Sequence, residues 1–219
     1  MKKRIEVFID YDGTLVNTIF FYLINPDLFL KNFVHASTEF IKSILRDFSR
    51  IKKFNLLNLI YYFLLEEDKR SDEIVKRMVR RMDLYIDKNL LRLILKLSER
   101  SEMYDTKIIS SSSEKIIRGV ISEMEKIYGK RINVEVIATT ENRIITAEKK
   151  SEIVRGYYRF KICVADGPTD YEFSRNCNAT IVKKTLPYYL SPKKPIGCAR
   201  FTEALSKLEY LLTSKYLSE

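Results

Sequence analysis

Two pairs of aspartates are the residues of this sequence whose types and spacing best suit chemistry. Asp10 and Asp12 follow a short apolar run in VFIDYDGTL, and Asp166 and Asp170 follow a second apolar run in VADGPTD. Carboxylates this close repel one another, and a divalent cation, which prefers oxygen ligands, relieves that repulsion. Gly13 permits a tight turn that a Cβ would obstruct. Either pair alone also fits an acidic turn, but the two together favour a metal-assisted site.

A parallel sheet is the element that would bring these aspartates together. The apolar run at residues 5–9 predicts a buried strand that ends at Asp10. From Asp87 onward we predict strands at 107–109, 134–138, 143–145, 160–165 and 180–182, and helices at 90–97, 116–127, 151–158 and 199–212. Such alternation implies a parallel sheet covered on both faces. Functional residues collect at the carboxyl ends of the strands, where Asp10, Ser110 and Asp166 stand.

The first strand is separated from the rest of the sheet by a block with helical periodicity throughout. Apolar residues recur at helical spacing within 41–51 and 74–82, and Ser71 with its acidic neighbours offers a helix start. We therefore predict an α/β fold. Its Rossmann-like parallel-sheet core comprises residues 1–16 and 87–219, and residues 17–86 form an inserted all-helical domain.

The composition limits the partners and the compartment. The formal charge of +10 fits a solvated basic surface, and no aromatic-plus-basic motif accompanies it, so nucleic acid is not an expected partner. The three cysteines, Cys163, Cys177 and Cys198, lack paired spacing, which argues against a disulfide scaffold and fits the reducing cytoplasm. Cys163 is predicted to be a core thiol. The apolar segments fall short of the ~20 residues that span a bilayer, so no membrane span is expected.

Four segments, in order along the chain, resemble the motifs of the haloacid dehalogenase (HAD) superfamily of phosphohydrolases. VFIDYDGTL resembles the first motif and is the most specific. KIISSS resembles the second and places its hydroxyl residue at Ser110, and EKKSEIV resembles the third, a basic residue that opens a helix. VADGPTD resembles the fourth, although Ala165 stands where glycine is commoner. The resemblance covers nearly the whole chain.

The resemblance implies a covalent mechanism at the first motif. Asp10 would attack phosphorus in line to give an aspartyl-phosphate. Asp12 would protonate the leaving oxygen and then deprotonate the water that hydrolyses the intermediate. Magnesium (Mg²⁺) would be held by Asp10, Asp166 and the backbone carbonyl of Asp12. Gly13 and Thr14 complete the motif as supporting residues.

The other motifs imply the residues that bind the phosphoryl group. Ser110, with Ser111 beside it, would hydrogen-bond a phosphoryl oxygen. Lys150 would pair with the same group, since KSEIV resembles the helix start of the third motif, and Lys149 stays an alternative. Asp170 would position that lysine or a metal-bound water.

The helical block resembles the cap of the phosphoserine phosphatase branch, in which the cap closes over the substrate. Segments after the fourth motif are also similar to diketo-methylthiopentane phosphate phosphatases of that branch. Two departures argue against serine specificity. Ser111 and Ser112 stand where phosphoserine phosphatases have two glycines, and Ile19 stands where they carry a glutamate that holds the substrate amine.

We therefore predict a Mg²⁺-dependent phosphomonoesterase that acts on a small phosphorylated metabolite. Dehalogenases lack a carboxylate at the position of Asp12, so carbon–halogen cleavage is not expected. Three alternatives stay open: a phosphomutase or phosphotransferase on the same scaffold, a phosphatase of nucleic-acid ends suggested by the charge, and a binding protein that keeps the core without turnover.

Overall fold

The core of the molecule is a sheet of five parallel strands. The computed structural model describes residues 5–46 and 56–185, with residues 189, 190, 192 and 195. The strands are β1 (Ile5–Asp10), β2 (Tyr104–Ser113), β3 (Glu135–Thr139), β4 (Lys161–Ala165) and β5 (Ala179–Val182). They lie in the order β3-β2-β1-β4-β5, and every pairing between them is parallel. The predicted α/β fold with a Rossmann-like parallel sheet is confirmed.

Helices precede and follow these strands along the chain. They are α1 (Thr18–Ile24), α2 (Pro26–Arg46), α3 (Leu56–Lys69), α4 (Ser71–Arg80), α5 (Met82–Tyr85), α6 (Lys88–Glu99), α7 (Glu114–Tyr128), α8 (Ala147–Arg155) and α9 (Tyr171–Arg175). A 3₁₀ turn over Pro168–Asp170 precedes α9. No helix of the described residues is both long enough and apolar enough to cross a membrane.

The central strand β1 is buried because side chains cover both of its faces. Val7 and Ile9 belong to a large apolar cluster that also contains the buried faces of α6 and α7. Phe8 points to the opposite side and belongs to a second cluster with Val154 of α8 and Phe173 of α9. Since successive side chains of a strand alternate between faces, a continuous apolar run is what a doubly covered strand requires.

Helices α1–α5 lie in the chain between β1 and α6, and the described part of residues 17–86 contains no strand, as predicted. Val16 and Ile86 form an antiparallel bridge, so the two segments that join this block to the sheet run side by side. Helix α4 packs against α7, and α3 packs against α2, β2 and α7. The division into a core domain and a cap domain stays a proposal.

The strand predicted at residues 143–145 is wrong. Thr140 and Arg143 exchange backbone hydrogen bonds of 2.8 and 3.1 Å and close a turn there instead. The apolar side chain of Ile145 is buried in the second cluster, and its N–H donates to the Thr139 hydroxyl rather than to a strand. Helix α8 begins at Ala147, four residues before the predicted start at 151, because the Thr146 side chain caps it. The helix predicted at 199–212 lies outside the described residues.

The expectation of unpaired cysteines is wrong for two of the three. Cys163 is fully buried on β4, as predicted, but the structure joins it to Cys177 in a disulfide with a Cα–Cα distance of 6.0 Å. Cys177 comes two residues after the end of α9, where the chain turns back toward the start of β5 beside β4. The pairing therefore depends on the return of the chain to the sheet, which the spacing of the cysteines does not reveal.

Candidate active site

Asp10 lies at the carboxyl end of the central strand and is only 1% exposed. The Thr14 hydroxyl donates a hydrogen bond of 3.1 Å to its Oδ2, and the Lys150 ammonium donates one of 2.5 Å to its Oδ1. Burial and the negative charge of Asp170 raise the pKa of Asp10 well above its ordinary value, although Lys150 opposes the shift. The predicted nucleophile is thus held rigidly in a site that disfavours its charge.

Lys150 is placed in this site by the start of α8. The Thr146 side chain accepts a hydrogen bond from the N–H of Lys149 and fixes the first turn of the helix. Lys150 then points inward and bridges Asp10, at 2.5 Å, and Asp170, at 3.0 Å. The Lys149 side chain is half-exposed and pairs with Glu152 at 2.7 Å. Of the two lysines left open by the sequence, only Lys150 lies among the buried aspartates.

Asp10, Asp166 and Asp170 form a buried acidic cluster, in which one carboxylate oxygen of each lies within 4.8 Å of the others. Asp170 accepts the backbone N–H of Asp166 at 3.3 Å, and the Thr185 hydroxyl donates to Asp166 at 2.9 Å. Burial, together with the charge of Asp170, raises the pKa of Asp166 to about 6. Three carboxylates against one ammonium leave an excess of negative charge, so the donor set suits a hard divalent cation such as Mg²⁺.

The backbone at Gly13 gives the acidic cluster its space. Gly13 has φ of +78°, a left-handed conformation that favours glycine. A Cβ built there would lie 2.1 Å from Oδ2 of Asp166, which is far inside van der Waals contact. The first-motif glycine is therefore required both for the turn after β1 and for the approach of Asp166.

Asp12 is held apart from the acidic cluster by serines of β2. The Ser110 hydroxyl donates to its Oδ2 at 2.6 Å, and the Ser112 hydroxyl donates to its Oδ1 at 2.7 Å. Among the described residues, Ser111 takes no part in this network. Ser112 was missed by the sequence analysis, although the two-residue period of a strand puts it on the same side as Ser110. Thr185, which follows β5, was missed because no motif marks it.

The Asp10 and Asp166 carboxylates, which the resemblance implies as metal ligands, lie together, and the carboxylate of Asp170 lies beside them. The ligand implied at Asp12 is its backbone carbonyl, and the Asp12 side chain faces the two serines.

A cavity of about 480 Å³ opens between Asp12 and helices α1–α3. Asp12 and Ser112 line it from the sheet, and we call this side its inner end, while apolar side chains such as Phe29 and Phe63 form most of its wall. One further acidic residue, Glu67 of α3, also lines it. A substrate bound to the aspartates would extend into this space.

Solved structures with a similar fold are found at low sequence identity. A phosphoserine phosphatase from T. onnurineus is 14% identical with a TM-score of 0.52, and the match covers 95% of each chain. A dehalogenase with an intermediate complex is 12% identical with a TM-score of 0.51, covering 98% of this chain and 99% of that one. CbbY from Rhodobacter sphaeroides in complex with phosphate is 12% identical with a TM-score of 0.51, covering 95% and 96%. No family model and no curated protein matches the sequence. The chain thus has the fold of the HAD superfamily.

Proposed function

We propose that this protein is a Mg²⁺-dependent HAD phosphatase that hydrolyses a small phosphomonoester through an aspartyl-phosphate on Asp10. The observation that carries the proposal is the arrangement at the carboxyl end of the sheet. Asp10 lies against Lys150 in the buried acidic cluster, while Asp12 faces the cavity on two serine hydroxyls. This arrangement supports a nucleophilic role for Asp10 and a proton-transfer role for Asp12.

In the first half-reaction, the new bond joins a carboxylate oxygen of Asp10 to phosphorus while the bond from phosphorus to the leaving oxygen breaks. Asp12 donates its proton to that oxygen, and the alcohol departs into the cavity. In the second half-reaction, Asp12 takes a proton from water, whose oxygen attacks phosphorus and releases phosphate and the Asp10 carboxylate. The second half-reaction therefore restores the Asp12 proton that the first consumed.

The neighbouring groups stabilise the charge of the transferring phosphoryl group. Lys150 would pair with its oxygens, and the Ser110 hydroxyl, now directed at Asp12, would donate to them. Mg²⁺ would be held by Asp10, Asp166 and Asp170, with the backbone of Asp12 as a further ligand, and would neutralise phosphoryl charge.

Because dehalogenases share this fold, the second aspartate is the feature that favours phosphoryl transfer. A halide leaves as a stable anion, whereas an alkoxide has to be protonated as it leaves. Asp12 has the position that such a proton donor needs, since it lies at the inner end of the cavity and two hydroxyls fix its orientation.

The proposal is tested by phosphate release from 4-nitrophenyl phosphate and from an alkyl phosphate, with Mg²⁺ and with excess EDTA. We expect turnover that requires Mg²⁺. In Asp12→Asn, kcat/KM should fall by roughly 10²–10⁴-fold for the alkyl ester and less for the nitrophenyl ester, whose leaving group needs little protonation. Equal losses for both esters would show that Asp12 is not the acid that protonates the leaving oxygen. Turnover without Mg²⁺ would contradict the proposed metal site.

A further inference from the structure

Glu67 is a buried carboxylate in the cavity for which the proposed mechanism has no use. It is 4% exposed, and its Oε1 accepts a hydrogen bond from the Tyr22 hydroxyl. Its Oε2 has no hydrogen-bond partner among the described residues. A buried acceptor left without a partner costs free energy, which a donor on a bound molecule would recover.

The wall around Glu67 is aromatic. The rings of Tyr22 and Phe29 have centroids 6.0 Å apart, and the Phe63 ring lies 5.7 Å from Phe29 and 6.1 Å from Tyr22. Leu23 and Ile19, 72% and 58% exposed, continue the same apolar lining. A glycerol, serine or sugar phosphate would leave this surface in contact with water, whereas an apolar group would cover it.

The charges around the cavity also favour a donor. Its lining residues include two acids, Asp12 and Glu67, and no lysine or arginine. Burial raises the pKa of Glu67 to about 7, and the charge of Asp12 adds to the shift. Asp68, the next residue of α3, is turned away from the cavity toward Ser113 and Lys115, at 2.5 and 2.8 Å. Among the described residues, Glu67 is thus the buried acid of this helix without a cation beside it.

We infer that the substrate is the phosphate ester of an apolar alcohol, aromatic or long-chain, which also carries, close to the ester oxygen, an amine or hydroxyl that donates to Oε2 of Glu67. The inference rests on the proposed phosphatase function, because the phosphoryl group fixes one end of the substrate at Asp10. Asp12 and Ser112 lie at the end of the cavity where the leaving oxygen would be, and the aromatic wall receives the organic group. The cavity volume of about 480 Å³ falls in the range of small-ligand sites.

The binding test uses phosphonates, which cannot be hydrolysed, so it does not depend on turnover. Calorimetric titration of the Mg²⁺-loaded protein would compare ethylphosphonate, 4-phenylbutylphosphonate and two derivatives of the latter, which carry an aminomethyl or a hydroxymethyl group on the second carbon of the chain. The Kd should fall by at least roughly 30-fold from ethyl to phenylbutyl, since each buried methylene contributes about fourfold. The better of the two donor groups should tighten binding by about a further fivefold.

Glu67→Gln tests the role of the second carboxylate oxygen. The amide keeps an acceptor for Tyr22 and replaces Oε2 with an NH₂ group, so the gain from the donor should disappear while the gain from the apolar group stays. Glu66→Gln is the matched control on the same helix, because Glu66 pairs with Lys69 at 2.6 Å and does not line the cavity. It should keep both gains. Phe63→Ala should instead reduce the gain from the apolar group.

The outcomes separate this inference from the proposed function. Equal Kd values for ethyl- and phenylbutylphosphonate, or a donor gain that persists in Glu67→Gln, would overturn the inference. The turnover of 4-nitrophenyl phosphate, measured on the same samples, tests the phosphatase itself. Phosphonate binding that tightens as expected, without any phosphate release, would support the binding site and contradict the proposed hydrolase activity. Thermal melts of each variant show whether a loss of binding reflects unfolding.

Discussion

Two lysines of the described residues are almost completely buried, and they lie at different ends of the sheet. Lys107 of β2, 1% exposed, contacts Glu6 at 2.7 Å and Asp105 at 2.6 Å, and its ammonium lies 4.8 Å from the centre of the Tyr157 ring. Lys150 of α8, 3% exposed, contacts Asp10 and Asp170. Both are buried ammonium groups bridging two carboxylates, yet their surroundings differ in charge.

The acids around the two lysines differ in how well their charges are balanced. Burial pushes the pKa of Asp105 up, but its hydrogen bond to Lys107 holds it below its ordinary value. Glu6 has Arg159 as a second cation at 3.4 Å. At the other end, burial and the charge of Asp170 raise the pKa of Asp166 to about 6 despite Lys150. We therefore propose that the same kind of ion pair is structural where charges balance, and serves metal and phosphate binding where they do not.

Asp10→Asn gives the largest expected effect, because it removes the nucleophile. We expect kcat to fall by at least about 10⁴-fold, in line with the loss of covalent nucleophiles elsewhere. The free energy of unfolding should stay the same or rise, since a neutral amide removes one charge from a crowded acidic cluster. Phosphate release and urea denaturation measure the two quantities. Substantial turnover in this variant would exclude the covalent mechanism.

Lys107→Met should have the opposite effects: it should lower the free energy of unfolding and leave turnover unchanged. Removing Lys107 takes from Asp105 the ammonium that it contacts and leaves Glu6 with only Arg159, at 3.4 Å, which should lower the free energy of unfolding by up to about 3–5 kcal/mol. The kcat of the folded fraction should be unchanged, because Lys107 lies nearer the start of β2 than Ser110 and contacts none of the aspartates of the site. Lys149→Met is the control, since its exposed pair with Glu152 should contribute at most about 1 kcal/mol. A loss of turnover in folded Lys107→Met would contradict the assignment of a purely structural role to the Lys107 end of the sheet.

Lys150→Met should act on turnover. We expect kcat/KM to fall by roughly 10²–10³-fold, the usual cost of removing one group that stabilises transition-state charge. Stability should fall less than in Lys107→Met, because Asp10 and Asp166, whose pKa values are already raised, can take up protons. Lys149→Met again serves as the control and should keep full activity. Full activity in Lys150→Met would instead favour Lys149 as the lysine that binds the phosphoryl group.

The features that the sequence predicted are those that local pattern determines. The strand ends next to Asp10 and Asp166 follow from apolar runs that stop abruptly, and the position of Lys150 follows from a helix start. The apolar run before Ser110 also predicted a strand end there, but β2 continues to Ser113. These patterns suffice because parallel strands deliver their carboxyl ends to one edge whatever the loops do.

The features that the sequence did not predict depend on contacts through space. The Lys107 site joins residues of different strands, and a lysine within a strand pattern does not show that it is buried. The pairing of Cys163 with Cys177 and the approach of Glu67 to Asp12 likewise depend on how helices pack on the sheet. The segment 143–145, which follows the turn at Thr140, was predicted to be a strand because the adjacent Ile144 and Ile145 imitate a short apolar run.

The smallest expected effect extends the comparison to Glu67, a buried acid with no cation partner among the described residues. Its pKa is raised by burial to about 7, from an ordinary value of 4.5, so the folded protein keeps a proton there that the unfolded chain releases. The free energy of unfolding should therefore decrease as the pH rises from 4.5 to 7, by on the order of 3 kcal/mol at most.

Urea denaturation of the wild type and of Glu67→Gln at several pH values measures this contribution as a difference between the two proteins. At pH 4.5 the neutral carboxyl and the amide should be nearly equivalent, and by pH 8 the variant should be the more stable of the two. Glu66→Gln should follow the wild type throughout, since it leaves Glu67 in place. A constant difference across the pH range would mean that Glu67 has an ordinary pKa in the folded protein.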